Sequence, residues 1–166
     1  KFGFTYDPSI SLEQRVGFEL AAMIWSSYLT DEVTINLHIG SSSSLGEEGQ
    51  AVGGAIPIFH EQHYGIYQEY LEADATSDLD ESAVEHLQAG NTVDFLVNGQ
   101  LVDGNTNILL TSAQAKALGM DEALTLDNGG TWDRDLVDDN ALDGYILVSN
   151  AFEWNYDYTR SGDAPE

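Results

Sequence analysis

No cysteine occurs in this chain, so neither disulfides nor thiol chemistry is open to it. Many secreted bacterial proteins share that lack, and it fixes no compartment. Basic side chains are nearly as scarce. Lys1, Arg15, Lys116, Arg134 and Arg160 face 29 acidic residues, for a net charge of −24. Such a surface repels phosphate backbones and anionic headgroups, which excludes nucleic acid and an anionic membrane surface as partners. It suits divalent cations and a saline or external medium. The remaining partners are protein or peptide, or copies of the chain itself. No apolar run is long enough for a membrane-crossing helix. The chain opens at Lys1 and enters an extended run at once, as a mature N-terminus does after signal removal. With no internal repeat and no linker composition, its 166 residues read as a single domain.

Ser11 to Gly40 carries the strongest pattern that is present. Leu12, Val16, Leu20, Ile24 and Tyr28 recur every four residues, which predicts an amphipathic helix over 11–29. Ser11 and Gln14 have capping-box spacing. After Asp31 the period falls to two, with Val33, Ile35, Leu37 and Ile39 on one side and Thr34, Asn36 and His38 on the other. Phe2 to Tyr6 is a short extended run before the helix. Strand, helix, strand in that order predicts a parallel pair backed by the helix. Leu20 and Ile24 are expected to be buried beneath the sheet.

Further on, Gly53-Gly54 open a short apolar segment in which Pro57 permits only an edge position or a bulge. A helix is expected over 61–73 and a short one over 81–88. Val93 to Val102 reads as a hairpin, with Asn98-Gly99 as a type I′ turn. Ile108 to Leu110 suggests another short strand. Thr111 and Gln114 have capping-box spacing, with Gly119 as the helix stop. Residues 121–141 are acidic and rich in Gly and Asn, as in a long loop. Gly144 to Ser149 is a buried strand by its apolar run. Phe152, Trp154, Tyr156 and Tyr158 alternate with polar residues and are expected to pack under the long helix.

Four phrases together resemble the N-terminal part of a family of secreted, mostly cyanobacterial zincin-like metalloproteases, several of which carry a sorting signal of the PEP-CTERM kind. They are FTYDPSISLEQRVGFELAAMIWSSYLTDEVTINLHIG at 4–40, VGGAIP at 52–57, LDGYILVS at 142–149 and WNYDYTRSGDAPE at 154–166. Residues 59–141 match only loosely. The resemblance implies an α/β (α+β) fold, a zincin-like N-terminal subdomain spanning 1–166 within a longer precursor. Its mixed sheet would use 2–6, 33–39, 52–58, 93–102 and 144–149, covered by one long amphipathic helix. It also implies that an edge strand of that sheet pairs with substrate peptide, the candidates being the strand with Pro57 and the 93–102 hairpin.

Zincins bind zinc through H-E-x-x-H on a helix, with the glutamate as general base. This sequence contains no H-E-x-x-H. In the resembled family that helix would begin shortly after these residues. The chain is therefore a processed product, a part of a longer protein, or a fold used without the chemistry. No catalytic residue is assigned, and zinc is expected only with the missing C-terminal segment. His60-Glu61-Gln62-His63 has H-x-x-H spacing, one short of the zincin pair, and is expected to be exposed histidines at a helix start. The loop from Asp127 to Gly144 is the better metal candidate. Asp133, Asp135, Asp138 and Asp139 could supply oxygen ligands to calcium, although the loop lacks the EF-hand pattern.

Two functions fit these residues. One is the non-catalytic N-terminal half of a secreted zinc metalloendopeptidase-like protein, inactive alone. The other is an acidic extracellular structural subunit that assembles into a filament or matrix by strand addition, with calcium as a possible requirement.

Overall fold

The computed structural model describes residues 1–29, 31–43, 52–120, 124–125, 131–132, 140–151 and 154–155. The chain is an α/β protein. Its first elements are β1 (Phe2–Tyr6), α1 (Leu12–Ser26), β2 (Ile35–Ser42), β3 (Gly53–Pro57), β4 (Phe59–His63), α2 (Tyr64–Asp74) and α3 (Asp78–Glu85). Then come β5 (Val93–Val97), β6 (Gln100–Asn105), β7 (Asn107–Thr111), α4 (Ser112–Ala117), β8 (Leu124–Thr125), β9 (Thr131–Trp132) and β10 (Gly144–Ser149). Two compact units result: 1–56 with 144–166, and 57–143. No described helix is long and apolar enough to cross a membrane.

The first unit is built on a four-stranded sheet in the order β1-β2-β10-β3. β1 and β10 both run parallel to β2; for β1 and β2 this follows from their strand–helix–strand order. Ile10, Ile39 and Val148 are buried, and Phe4, Tyr6, Phe18, Leu37 and Ile146 pack around them. Phe4 and Tyr6, Leu37 and Ile39, and Ile146 and Val148 alternate along their strands, so one sheet face is apolar. Complete burial of a side chain such as Ile39 contributes about 1.5–3 kcal/mol. The helix begins where Ser11 accepts from the Gln14 amide and the Gln14 side chain accepts from the Ser11 amide. That reciprocal pair satisfies two of the helix's unpaired N-terminal donors.

The helix face is not the one its sequence suggests. Leu20 is 38% exposed and Ile24 61%, and neither is buried beneath the sheet. Phe18 meets the sheet instead, its ring 6.1 Å from that of Phe4. The reason is geometric. Residues four apart advance about 400° around a helix of 3.6 residues per turn, so a strict four-residue stripe drifts about 40° per step. From Leu12 to Tyr28 the stripe winds across much of the cylinder and cannot lie on one flat sheet. Leu12, Val16, Met23, Ile24, Trp25 and Tyr28 are all exposed.

The second unit holds an antiparallel pair of β4 and β7, from Phe59↔Thr111 to His63↔Asn107. Tyr70, Leu110, Ala115 and Met120 form its core, with Ile66, Tyr67, Ile108 and Leu118 packed on it. Thr111 and Gln114 cap α4 reciprocally, and Gly119 ends it with a φ of +66°, a conformation glycine adopts without steric cost. Residues 59–63 form a strand, so the helix expected over 61–73 begins only at Tyr64. The hairpin forms with φ of +51° at Asn98 and +78° at Gly99, the positive pair that a type I′ turn demands. However, β5 and β6 make a two-stranded sheet of their own and do not join the main sheet. Within the expected 121–141 loop, Leu124 pairs with Trp132 in a short antiparallel bridge.

Candidate functional site

The first unit offers two features that chemistry can use: a polar sheet face and a sheet edge. The polar face follows from the parallel register, which aligns Thr5 with His38 and His38 with Tyr145. The Thr5 hydroxyl lies 2.8 Å from His38 Nδ1, and His38 Nε2 lies 3.2 Å from Asp7 Oδ1. The Tyr145 ring meets the imidazole edge-on at 5.9 Å between centroids. A neutral imidazole donates from one nitrogen and accepts at the other, so with Nε2–H toward Asp7 it accepts the Thr5 hydroxyl at Nδ1. The Asp7 amide also donates to the Ile39 carbonyl at 2.9 Å. Together these contacts pin the β1–α1 turn to β2. Asp7 and His38 keep 45% and 28% of their side-chain surface exposed, and we assign the cluster to holding that turn.

The edge is β3. It neighbours β10 at the end of the strand order, and the Ser149 amide donates to the Val52 carbonyl at 2.8 Å beside it. Gly54, Ala55, Ile56 and Pro57 are exposed. Pro57 thus sits where a residue without an N–H is tolerated. Of the two segments that the sequence offered as the edge, the main sheet uses this one. Gly53 is pressed close to β10, where an added Cβ would meet the Leu147 carbonyl oxygen at 3.0 Å.

A groove of about 260 Å³ in the same unit runs between α1 and β10, lined by Gln14, Gly17, Phe18, Ala21, Val148 and Trp154. The Trp154 indole N–H donates to the Ser149 carbonyl at 2.8 Å, which fixes the ring against the end of β10. Phe152, Tyr156 and Tyr158, the other rungs of the aromatic ladder, lie outside the described residues. On the same helix, Arg15 stacks over the Tyr6 ring at 5.1 Å. The Tyr6 hydroxyl donates to Glu19 at 3.1 Å. Burial, then the Glu19 hydrogen bond and charge, push its pKa up to about 12, partly offset by Arg15.

The metal candidates divide. Asp133, Asp135, Asp138 and Asp139 lie outside the described residues. His60 and His63 are three apart on β4, and alternation turns them to opposite faces. His60 Nε2 bonds the Ser112 hydroxyl at 2.8 Å. His63 caps α2, its Nδ1 accepting from the Gly65 amide at 3.2 Å. They do not converge on a shared ion. No group of three or more His, Cys, Asp or Glu among the described residues is arranged to hold a metal. These residues do not fit a zinc centre, and no catalytic step is derived through one.

Strand alternation puts His38 on a polar face and gives it no partner. Thr5 and Asp7 are more than thirty residues away, and only the parallel register brings them to it. Lys116 and Asp143, a buried pair in the second unit, were likewise not anticipated. Comparison with protein-family models, with curated proteins and with solved structures found no match.

Proposed function

We propose that this chain is the non-catalytic N-terminal half of a secreted zinc metalloendopeptidase-like protein. Its task is to present extended peptide to a zinc centre carried by a further segment. The observation that carries this reading is β3, an exposed edge on a largely parallel, helix-backed sheet. An edge strand offers unpaired N–H and C=O groups, and a peptide added as a further strand satisfies them. The outward side of α1 supports the same reading. Leu12, Val16, Met23, Ile24 and Trp25 are exposed along it, and a further layer of a longer protein would cover them. The four family-like phrases all fall in or immediately beside this unit, with its helix, β3 and β10 among them.

The test compares two proteins: residues 1–166, and the natural protein as its own organism makes it. The natural protein should be longer, carry H-E-x-x-H and cleave casein in a chelator-sensitive way. Residues 1–166 with added zinc should not. Chelator-sensitive cleavage by 1–166, or a natural protein without that motif, overturns the reading.

The same edge supports a second reading, an acidic extracellular subunit that adds strands to copies of itself. Here calcium, held by Asp133, Asp135, Asp138 and Asp139, would relieve the repulsion of a chain carrying −24 charges, and Trp154 would become less exposed on assembly. Light scattering across a salt and calcium series, with tryptophan emission alongside, tests it. A monomer with unchanged emission throughout removes it.

A further inference from the structure

The β5–β6 hairpin is constructed in an unusual way. Two-stranded ribbons are marginal in water unless a hydrophobic face is covered. This one turns its apolar side chains outward: Leu96 is 71% exposed and Leu101 63%, and Phe95, Val97 and Val102 are exposed too. Its order comes from polar contacts at both ends. At the tip, Asn98-Gly99 forms the I′ turn. At the base a bulge falls between Val93 and Phe95. There Asp94 Oδ1 accepts from the Gly104 amide at 2.8 Å, and the Asp94 amide donates to Gln88 Oε1 at 2.8 Å. Gln88 Nε2 returns a bond to the Asp94 carbonyl at 2.7 Å, and Asn105 Nδ2 ties the Val93 and Val102 carbonyls together. The ribbon is thus fixed in shape without burying its apolar side chains, as a preformed binding surface requires.

The surroundings define what could sit there. Beside the base lies a groove of about 620 Å³ lined by Glu61, Phe95, Asn107, Ile108 and Leu109. The Glu61 carboxylate is exposed at its rim and is oriented by a 2.8 Å bond from Asn107 Nδ2. Asp94 and Asp103, both exposed, lie nearly opposite each other across the hairpin. Among the described residues of this unit, Lys116 is the only lysine or arginine, and it is buried against Asp143. Among the described residues the rim is therefore anionic without a balancing cation. A second copy would bring the same charge, and an anionic lipid surface would be repelled.

We propose that the hairpin and its groove form a docking site for an extended, cationic, amphipathic peptide segment. Apolar side chains of the peptide pack on Leu96 and Leu101, a cross-strand pair on one face of the ribbon, while Phe95 turns to the opposite face with the groove. Its lysines or arginines meet Glu61, Asp94 and Asp103, and its backbone pairs with a free edge of the ribbon. The site belongs to residues 57–143, so it stands whether or not β3 presents peptide to a zinc centre.

The experiment titrates 1–166 into three fluorescein-labelled heptapeptides and reads anisotropy. One alternates Lys with Val, one alternates Glu with Val, and one alternates Lys with Ser. The Lys/Val peptide should bind best. The double variant Leu96→Ser/Leu101→Ser, which alters only exposed positions and should keep its circular dichroism, should weaken that binding by roughly tenfold or more. Glu61→Gln with Asp103→Asn should flatten its salt dependence. Ala55→Pro, which blocks strand addition at β3, should leave it unchanged. Equal binding of the Lys/Ser peptide, which shows charge alone at work, overturns the proposal. So does full binding by the Leu96→Ser/Leu101→Ser protein, or loss of binding in Ala55→Pro. A dimer that forms through the hairpin and excludes the peptide overturns it as well.

Discussion

Lys116 Nζ donates to Asp143 Oδ2 at 2.8 Å, with both side chains 1% exposed. A buried pair of this kind contributes little net stability, because desolvation consumes most of the attraction, but losing one partner strands a charge. Lys116→Met should therefore destabilise the protein by about 3–5 kcal/mol in urea unfolding, and Lys116→Met with Asp143→Leu should recover most of that loss. Equal destabilisation by the single and double variants would mean that the residues act separately.

The face of α1 can be checked by two truncations. Phe18, packed against Phe4, should lose roughly 2 kcal/mol or more on change to Ala, somewhat below the range for full burial. Leu20→Ala should stay under about 1 kcal/mol, the scale of surface substitutions. Urea midpoints of the two variants decide, and the reverse order would rotate the helix.

Tyr6 predicts a loss of stability in alkali. Its folded pKa lies near 12 against an ordinary 10.0, so above pH 10 the unfolded chain releases the proton first. The contribution is complete below pH 10 and falls away as the pH rises toward 12. Chemical denaturation of the wild type should show that decline, and Tyr6→Phe should flatten it. Parallel curves for the two proteins would show that other groups cause the alkaline loss.

Ser11→Ala removes one half of the capping box on α1. The expected cost is about 1 kcal/mol, with Ser11→Gly milder. Thermal unfolding followed at a helix wavelength measures both, and an unchanged midpoint in Ser11→Ala would show the cap to be idle.

What could be read from the sequence was local. The Ser11 and Thr111 boxes, the Asn98-Gly99 turn and the Gly119 stop each depend on residues within four positions of one another, and each is in place. The β1–α1–β2 order predicted its parallel pairing because chain handedness leaves few alternatives. The rest depended on distant neighbours. Whether Leu20 or Phe18 meets the sheet is decided by helix rotation against β1, which no four-residue spacing encodes. The 93–102 segment reads as a good hairpin in any setting, and nothing in its composition says that it stands apart from the main sheet. Lys116 lies 27 positions from Asp143, too far for sequence spacing to pair them. The acidic side chains from Asp133 to Asp139 were the clearest ligand candidates, and they fall outside the described residues.

The second unit begins and ends at neighbouring points. The Ile58 amide donates to the Asp143 carbonyl at 2.9 Å, and the Ser112 amide donates to the Ile58 carbonyl at 2.9 Å. Tension on the chain would therefore enter and leave this unit through one clamp and bypass its interior. A pull applied through Ile56 and Gly144 must first separate Ile58 from Asp143 and drag Asp143 from Lys116 before any load reaches the Tyr70 core. The insertion is mechanically a closed loop, and its first yield point is the Ile58–Asp143 bond with the buried ion pair behind it.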